Sequence, residues 1–300
     1  MTTAPRWRRR GSGALGRLSA RQALAVVYEL LLHREPDGHG LETYLPALEA
    51  GTLSPVLLAE RILASAEWWT VVGFTELSSS LHFSRSVFVR SLPPAGRILD
   101  LGGTALGSSQ GAMVLMGYPY PFDELVVVDL PQDDRNDLYK EDTAELKVVD
   151  TGLGPVHYHY HSMTDLSSYA DGSFDLVYSG QSIEHVPPAE ADTVLAEVAR
   201  VLRPGGYLGL DTPNARVCRL QQENYIDPDH DYEYTHAEMT QKLEAAGFEI
   251  VEAKGLNHAG RSLAAGRFSM DDTATQRGLF ADIESCYLLS YLCRTAKDAP

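Results

Sequence analysis

From Arg97 onward the chain repeats one local pattern, a short apolar run followed by an amphipathic stretch. The first run, Ile98-Leu99-Asp100-Leu101, ends in Gly102-Gly103, and the second, Leu125-Val126-Val127-Val128, ends in Asp129. Apolar residues at consecutive positions imply a strand buried on both faces, and parallel neighbours need a crossover, usually helical. The pattern therefore predicts an α/β domain of the Rossmann-like kind, with helices on both faces of a mainly parallel sheet. Strands are expected at 97–101, 125–129, 156–160, 174–179, 207–211, 248–253 and 286–293, and helices at 108–117, 188–202 and 235–246. Gly247 supplies the stop signal for the last helix.

Residues 20–80 read as a small all-helical unit. Leu24, Val27, Tyr28, Leu31 and Leu32 recur at helical spacing, and Pro36-Asp37-Gly38 stops the run. A second helix is expected over Leu41–Glu49, ending at Gly51. Ser54-Pro55 offers a cap and a first-turn proline for a third, ending near Ala66. Residues 1–19, with Arg8-Arg9-Arg10, read as a disordered basic tail, and 85–300 as the α/β domain. Insertions are expected in that domain at about 213–235 and 255–280.

Composition removes several classes of function. A net charge of −16 disfavours nucleic acid, because phosphate-backbone binding needs many Lys and Arg side chains. Cys218, Cys286 and Cys293 form neither a disulfide framework nor a paired zinc motif, which points to a reducing cytoplasm. The apolar run Ala23–Leu32 contains Glu29 and is far shorter than the roughly 20 residues that span a bilayer, so no membrane span is expected.

A glycine turn between strand and helix lets the backbone approach a ligand, and the free N–H groups there hold a carboxylate. Asp100 can orient that loop or accept a proton from a ligand ammonium. An acid at the end of the second strand, Asp129, accepts ribose hydroxyls. Nicotinamide and sulfonium nucleosides share these needs. However, Gly102-Gly103-Thr104-Ala105-Leu106-Gly107 lacks the three-glycine pyrophosphate fingerprint, and no arginine cluster compensates for a diphosphate.

Further along stand Ser173-Phe174-Asp175-Leu176-Val177, Glu184-His185-Val186 and Pro204-Gly205-Gly206. In that order, the segment from about 97 to 250 resembles class I S-adenosylmethionine-dependent methyltransferases of the sugar or small-molecule O-methyltransferase type. The resemblance implies a seven-stranded sheet whose last strand runs antiparallel, and S-adenosylmethionine as cofactor. It also implies cofactor contacts at Asp100, Gly102, Gly103, Asp129, Leu130, Ser162, Met163, Ser179 and Gly180. His185 becomes the candidate general base, with Asp211 its orienting partner and Glu184 a helper, since an alcohol acceptor must lose a proton during transfer.

Tyr28–Gly38, Gly40-Leu41 and Ala64-Ser65-Ala66-Glu67-Trp68 resemble a helical module found beside bacterial glycan-modifying enzymes, and the unit offers a homodimer face. Tyr225, His230, Tyr232, His258 and Arg261 are candidate carbohydrate-binding residues. Together these point to a small-molecule or oligosaccharide hydroxyl as acceptor. The arrangement resembles actinobacterial enzymes acting on polysaccharide precursors, such as those making methylmannose polysaccharide. His157, His159 and His161 share one strand face, but imidazoles there are more often packed or solvated than ligating. Mg2+ held by acids between Asp211 and Asp231 has no fixed ligand spacing to support it, so no metal is predicted. The alternatives are another small-molecule methyltransferase, a nicotinamide-dependent oxidoreductase, and a non-catalytic methyltransferase-like binding protein.

Overall fold

The computed structural model describes residues 18–32, 34–63, 65–105, 109–131 and 147–296. The Arg8–Arg10 tail and residues Leu106 and Gly107 of the first glycine loop lie outside the described residues. The chain divides into two units, Met1–Glu76 and Leu77–Pro300.

The first unit contains α1 (Ala20–Leu32), α2 (Gly38–Glu49) and α3 (Pro55–Leu63). Leu24, Val27, Tyr28 and Leu32 form one stripe of α1 and pack with Leu48, Leu53, Leu58 and Ile62. Asp37 is a helix cap as well as a break. Its carboxylate accepts from the Gly40 N–H at 2.7 Å, so α2 starts at Gly38, before the expected Leu41. The Ser54 hydroxyl accepts from the Leu57 N–H at 3.2 Å, with Pro55 in the first turn of α3.

A long helix, α4 (Ala66–Ser91), follows. Nothing in the sequence pattern announced it, because the Ser78-Ser79-Ser80 run is a poor helix signal. Its part in the second unit is held by packing, with Leu77, Phe88 and Val89 buried.

The second unit contains β1 (Arg97–Leu101), α5 (Ala112–Leu115), β2 (Glu124–Asp129), β3 (Val148–Asp150), β4 (Pro155–Tyr160) and β5 (Phe174–Gly180). It continues with α6 (Pro188–Val201), β6 (Leu202–Pro213), α7 (Ala215–Gln221), α8 (His236–Ala245) and β7 (Phe248–His258). Last come α9 (Gly260–Ala265), α10 (Met270–Thr275), β8 (Leu279–Phe280) and β9 (Cys286–Thr295). All the expected strands are present in one sheet of order β3-β4-β2-β1-β5-β6-β9-β7-β8, with β9 antiparallel to both neighbours. The sheet has nine strands because β3 and β8 add short antiparallel edges, too short to leave a period in the sequence. The helix expected over 108–117 shrinks to α5, bounded by Gly111 and Gly117 at φ +79° and +89°.

Alternation along each strand sorts the core. Leu99, Val126 and Val177 face one cluster with Val194, Val198 and Leu243, while Ile98, Leu125, Val127 and Leu176 face another with Phe88 and Met113. At the amino-terminal edge, the Asp175 carboxylate accepts from the Gly96 and Arg97 N–H groups at 3.0 and 2.8 Å and pairs with Arg203. Burial would raise this carboxyl, but these hydrogen bonds and the guanidinium hold it below the usual range. Asp175 thus ties the starts of three strands together.

Candidate active site

The sheet order reverses at β1, with β2 on one side and β5 on the other. In open α/β sheets, that switch point leaves a crevice at the carboxyl ends of the strands. A cavity of about 670 Å³ lies there, lined by Gly102 after β1, Asp129 at the end of β2, Ser162 and Met163 after β4, and Gly180 at the end of β5. Leu130 and His185 also line it, as do Arg85, Thr104 and Gln181, which sequence reasoning missed.

Gly102 adopts φ +72°, and a side chain there would meet Ser182 Cβ at 2.9 Å. Any residue other than glycine would therefore be strained and would push against Ser182. Asp129 Oδ2 accepts from the Thr104 N–H at 3.2 Å and Oδ1 from the Leu130 N–H at 2.8 Å, which fixes the carboxylate against the glycine loop.

Asp100, Gly103 and Ser179 sit behind the cavity wall. Asp100 is buried and accepts from the Met113 N–H at 3.3 Å, and a side chain on Gly103 would overlap its carboxylate. Burial pushes the Asp100 carboxyl up to about 7, outweighing the Met113 hydrogen bond and the charge of Arg85. Ser179 bonds the Ser182 hydroxyl at 2.6 Å.

Asp211, expected beside His185, is instead spoken for by three other groups. It is fully buried; Oδ1 accepts from Arg85 Nε at 2.7 Å and Gln181 Nε2 at 2.9 Å, and Oδ2 from the Tyr178 hydroxyl at 2.5 Å. Gln181 adopts φ +55°, uncommon for a residue with a side chain. Its N–H donates to the Asp211 carbonyl at 2.8 Å, so the network holds the turn after β5 in that shape. Arg85 left no motif because its partner lies 126 residues away.

On the other side of this turn a short 3₁₀ segment, Ile183–His185, meets the loop after α7. The Glu184 carbonyl accepts from the Asp231 and Tyr232 N–H groups at 2.8 and 3.1 Å. Glu184 is fully buried; Oε2 accepts from the Thr212 hydroxyl at 3.0 Å, while Oε1 has no hydrogen-bond partner among the described residues. Burial raises its carboxyl, and His185 and His230 counter only part of that. The His185 and His230 rings stand edge to face at 4.8 Å. His185 Nδ1 bonds the Asp229 carbonyl at 3.0 Å, and His230 Nδ1 bonds Glu233 Oε1 at 2.9 Å. Burial alone would lower the His230 imidazole, but the Glu233 hydrogen bond and the Glu184 and Glu233 charges hold it above its ordinary value.

Of the expected acceptor-side residues, Tyr225, His230, Tyr232, His258 and Arg261 do not line the cavity. Tyr225 and Tyr232 pack together at 6.5 Å, and Tyr232 donates to Glu238 at 2.8 Å. His258 faces Asp282 at 3.6 Å, and the exposed Arg261 faces Asp272 at 3.6 Å. In the His157–His161 run, His159 and His161 both bond the Tyr169 hydroxyl, at 2.7 and 3.3 Å.

A glycine turn and a strand-end acid flanking a crevice at the switch point define a Rossmann-like domain built to hold a nucleoside cofactor. Residues 105–210 match the family model described as a methyltransferase domain. A protein of Xanthomonas axonopodis named ubiquinone biosynthesis O-methyltransferase is 30% identical over 204 residues, covering 63% of this chain and 78% of that protein. A protein of Mycolicibacterium smegmatis named "Probable S-adenosylmethionine-dependent methyltransferase" is 38% identical over 88 residues, 29% of this chain, and the match spans only 34% of that relative. A solved SAM-dependent methyltransferase of Archaeoglobus fulgidus aligns over 73% of this chain and 94% of its own, at 14% identity and a TM-score of 0.48. The chain belongs to the class I S-adenosylmethionine-dependent methyltransferases, and S-adenosylmethionine is its cofactor. Membership of this family sets the nicotinamide alternative aside. Among the described residues no helix is long and apolar enough to cross a membrane.

Proposed function

We propose that this chain is an O-methyltransferase acting on a hydroxyl of a sugar or oligosaccharide precursor, with His185 at the acceptor. The observation that carries this reading is a histidine on the wall of the cofactor cavity, one turn beyond Gly180, with Nδ1 engaged by the Asp229 carbonyl. That bond leaves Nε2 as the nitrogen able to accept a proton. Two relatives named as methyltransferases support the transfer, one of them an O-methyltransferase by name.

The residues present fit the cofactor. Gly102 and Gly180, whose backbone lines the cavity, suit the methionine end, the anchored Asp129 carboxylate suits the ribose, and Leu130, Ser162 and Met163 suit the adenine edge. Asp100, beneath Gly103, supports the loop through the Met113 N–H. When bound, the sulfonium supplies an electrophilic methyl group. The chain aligns the acceptor oxygen in line with it and removes the hydroxyl proton. In this reading Asp211 is a positioning residue, acting through Gln181 on the turn that precedes His185. Tyr225, His230, Tyr232, His258 and Arg261 lie outside the cavity wall, so acceptor contact is better sought at Glu190, Asp229 and Asp231, which line it. Their acidity disfavours anionic acceptors.

A second reading, a phenolic hydroxyl of another small metabolite, is favoured by similarity to the proteins named ubiquinone biosynthesis O-methyltransferase. Release of adenosylhomocysteine over a panel of mono- and oligosaccharides and catechols tests both. Transfer confined to catechols would replace the sugar reading, and transfer to neither would end both. On the accepted substrate, His185→Ala is expected to cut turnover by about 10²–10⁴ while sparing cofactor affinity. Unchanged turnover would remove His185 from the reaction.

A further inference from the structure

Glu184, His185 and His230 each present a ligand atom, and these atoms lie within 4.8 Å of one another. The three come from two separate segments, the 3₁₀ turn after β5 and the loop after α7, which the Glu184 carbonyl clasps together. Neither segment carries a metal-binding spacing, so this cluster exists only in the folded chain.

Three further observations point to a ligand. Glu184 Oε1 is buried without a hydrogen-bond partner among the described residues, which is costly for a carboxylate. His230 Nδ1 is bonded to the buried Glu233 carboxylate, the outer partner that metal-binding imidazoles commonly have. His185 Nδ1 is bonded to a backbone carbonyl, the other usual outer partner. Both bonds leave Nε2 as the nitrogen with a lone pair to give.

We propose that Glu184, His185 and His230 form a binding site for a zinc-class divalent ion beside the cofactor cavity. Two imidazoles and one carboxylate suit Zn2+, Co2+ or Mn2+ better than Mg2+, which favours oxygen ligands. A tetrahedral ion with bonds of about 2 Å sets its ligand atoms roughly 3.3 Å apart, so the set, within 4.8 Å here, closes on an ion through side-chain shifts of about 1–2 Å. A protein set of three leaves coordination positions for an acceptor.

This rests on the reading that the acceptor enters at His185, and it narrows the acceptor to one with two adjacent oxygens, a vicinal diol or a catechol. It also changes how the hydroxyl is activated. With an ion bound, the ion would acidify the bound hydroxyl and the proton would leave to solvent, the His185 Nε2 lone pair then being given to the ion in place of the proton it takes in the ion-free reading above.

The test titrates cobalt(II) chloride into the chelator-stripped full chain saturated with adenosylhomocysteine and reads visible d–d absorption. One Co2+ per chain is expected, with affinity falling at least about 100-fold in His185→Ala and His230→Asn, and about 10–100-fold in Glu233→Gln. His185 is exposed, so its variant should fold, and retained adenosylhomocysteine affinity certifies each variant. No d–d bands up to about 1 mM Co2+, or bands unchanged in His185→Ala, would overturn the site. Turnover separates the two claims. Full methyl transfer by the stripped enzyme without Co2+ or Zn2+ overturns the metal site and leaves the O-methyltransferase reading standing. Specific Co2+ binding with no transfer to any diol supports the site and removes that reading.

Discussion

Replacing Arg85 with methionine tests the network that shapes the cofactor cavity. Arg85 Nε lies 2.7 Å from Asp211 Oδ1, with the two side chains 19% and 0% exposed. Methionine approximates the volume but removes the cation, leaving Asp211 buried with only the Tyr178 hydroxyl and Gln181 amide. Breaking one side of a buried ion pair costs about 3–5 kcal/mol. For a unit of this size, that lowers the melting temperature by roughly 6–20 °C. Asp211→Asn should cost less, about 1–3 kcal/mol, because the partly exposed guanidinium can turn to water in the cavity. The double variant should recover about 1–3 kcal/mol relative to the sum, since it removes both charges. Urea unfolding of the four proteins, with and without adenosylhomocysteine, measures this cycle. A loss below about 1 kcal/mol for Arg85→Met, or strict additivity, would mean that Asp211 is stabilised without the guanidinium, and the argument for the turn would fail.

Asp129→Ala should weaken adenosylhomocysteine binding by about 1–3 kcal/mol in calorimetry, with little effect on folding; unaltered affinity would free Asp129 of the ribose role. Asp100 gives a pH signature. Its folded carboxyl is raised to about 7, whereas an unfolded Asp titrates near 3.9. The folded chain therefore holds this proton more tightly, and the associated stability is fully present below about pH 4 and lost as pH rises to about 7, worth at most ~4 kcal/mol. Urea midpoints of the cofactor-free protein should fall across that window less steeply for Asp100→Asn than for the wild type. Parallel slopes would show that Asp100 is ionised when folded.

The fold was legible where burial on both faces left continuous apolar runs, as in β1, β2 and β5. It was illegible in β3 and β8, which span three and two residues, and in α4, where serines mask a helix held by distant contacts. The glycine turn and Asp129 were legible because backbone geometry demands particular residue types there. His185 was legible from its neighbours in the chain.

Arg85 and Gln181 were not, because arginine and glutamine occur at countless surface positions and nothing local distinguishes these two. Their roles arise when α4 and the turn after β5 converge on a carboxylate that cannot be left bare in the core. The aromatic-rich loop suggests His230 as a sugar contact, while folding pairs it with Glu233 and sets it against His185 and Glu184. Local sequence determined the alternation of elements, the glycine turn and the strand-end acid, since each depends on residues adjacent in the chain. Only the tertiary structure decided the partners of Asp211 and the Glu184–His185–His230 group, since hydrogen bonding in a dry interior depends on which distant segments meet.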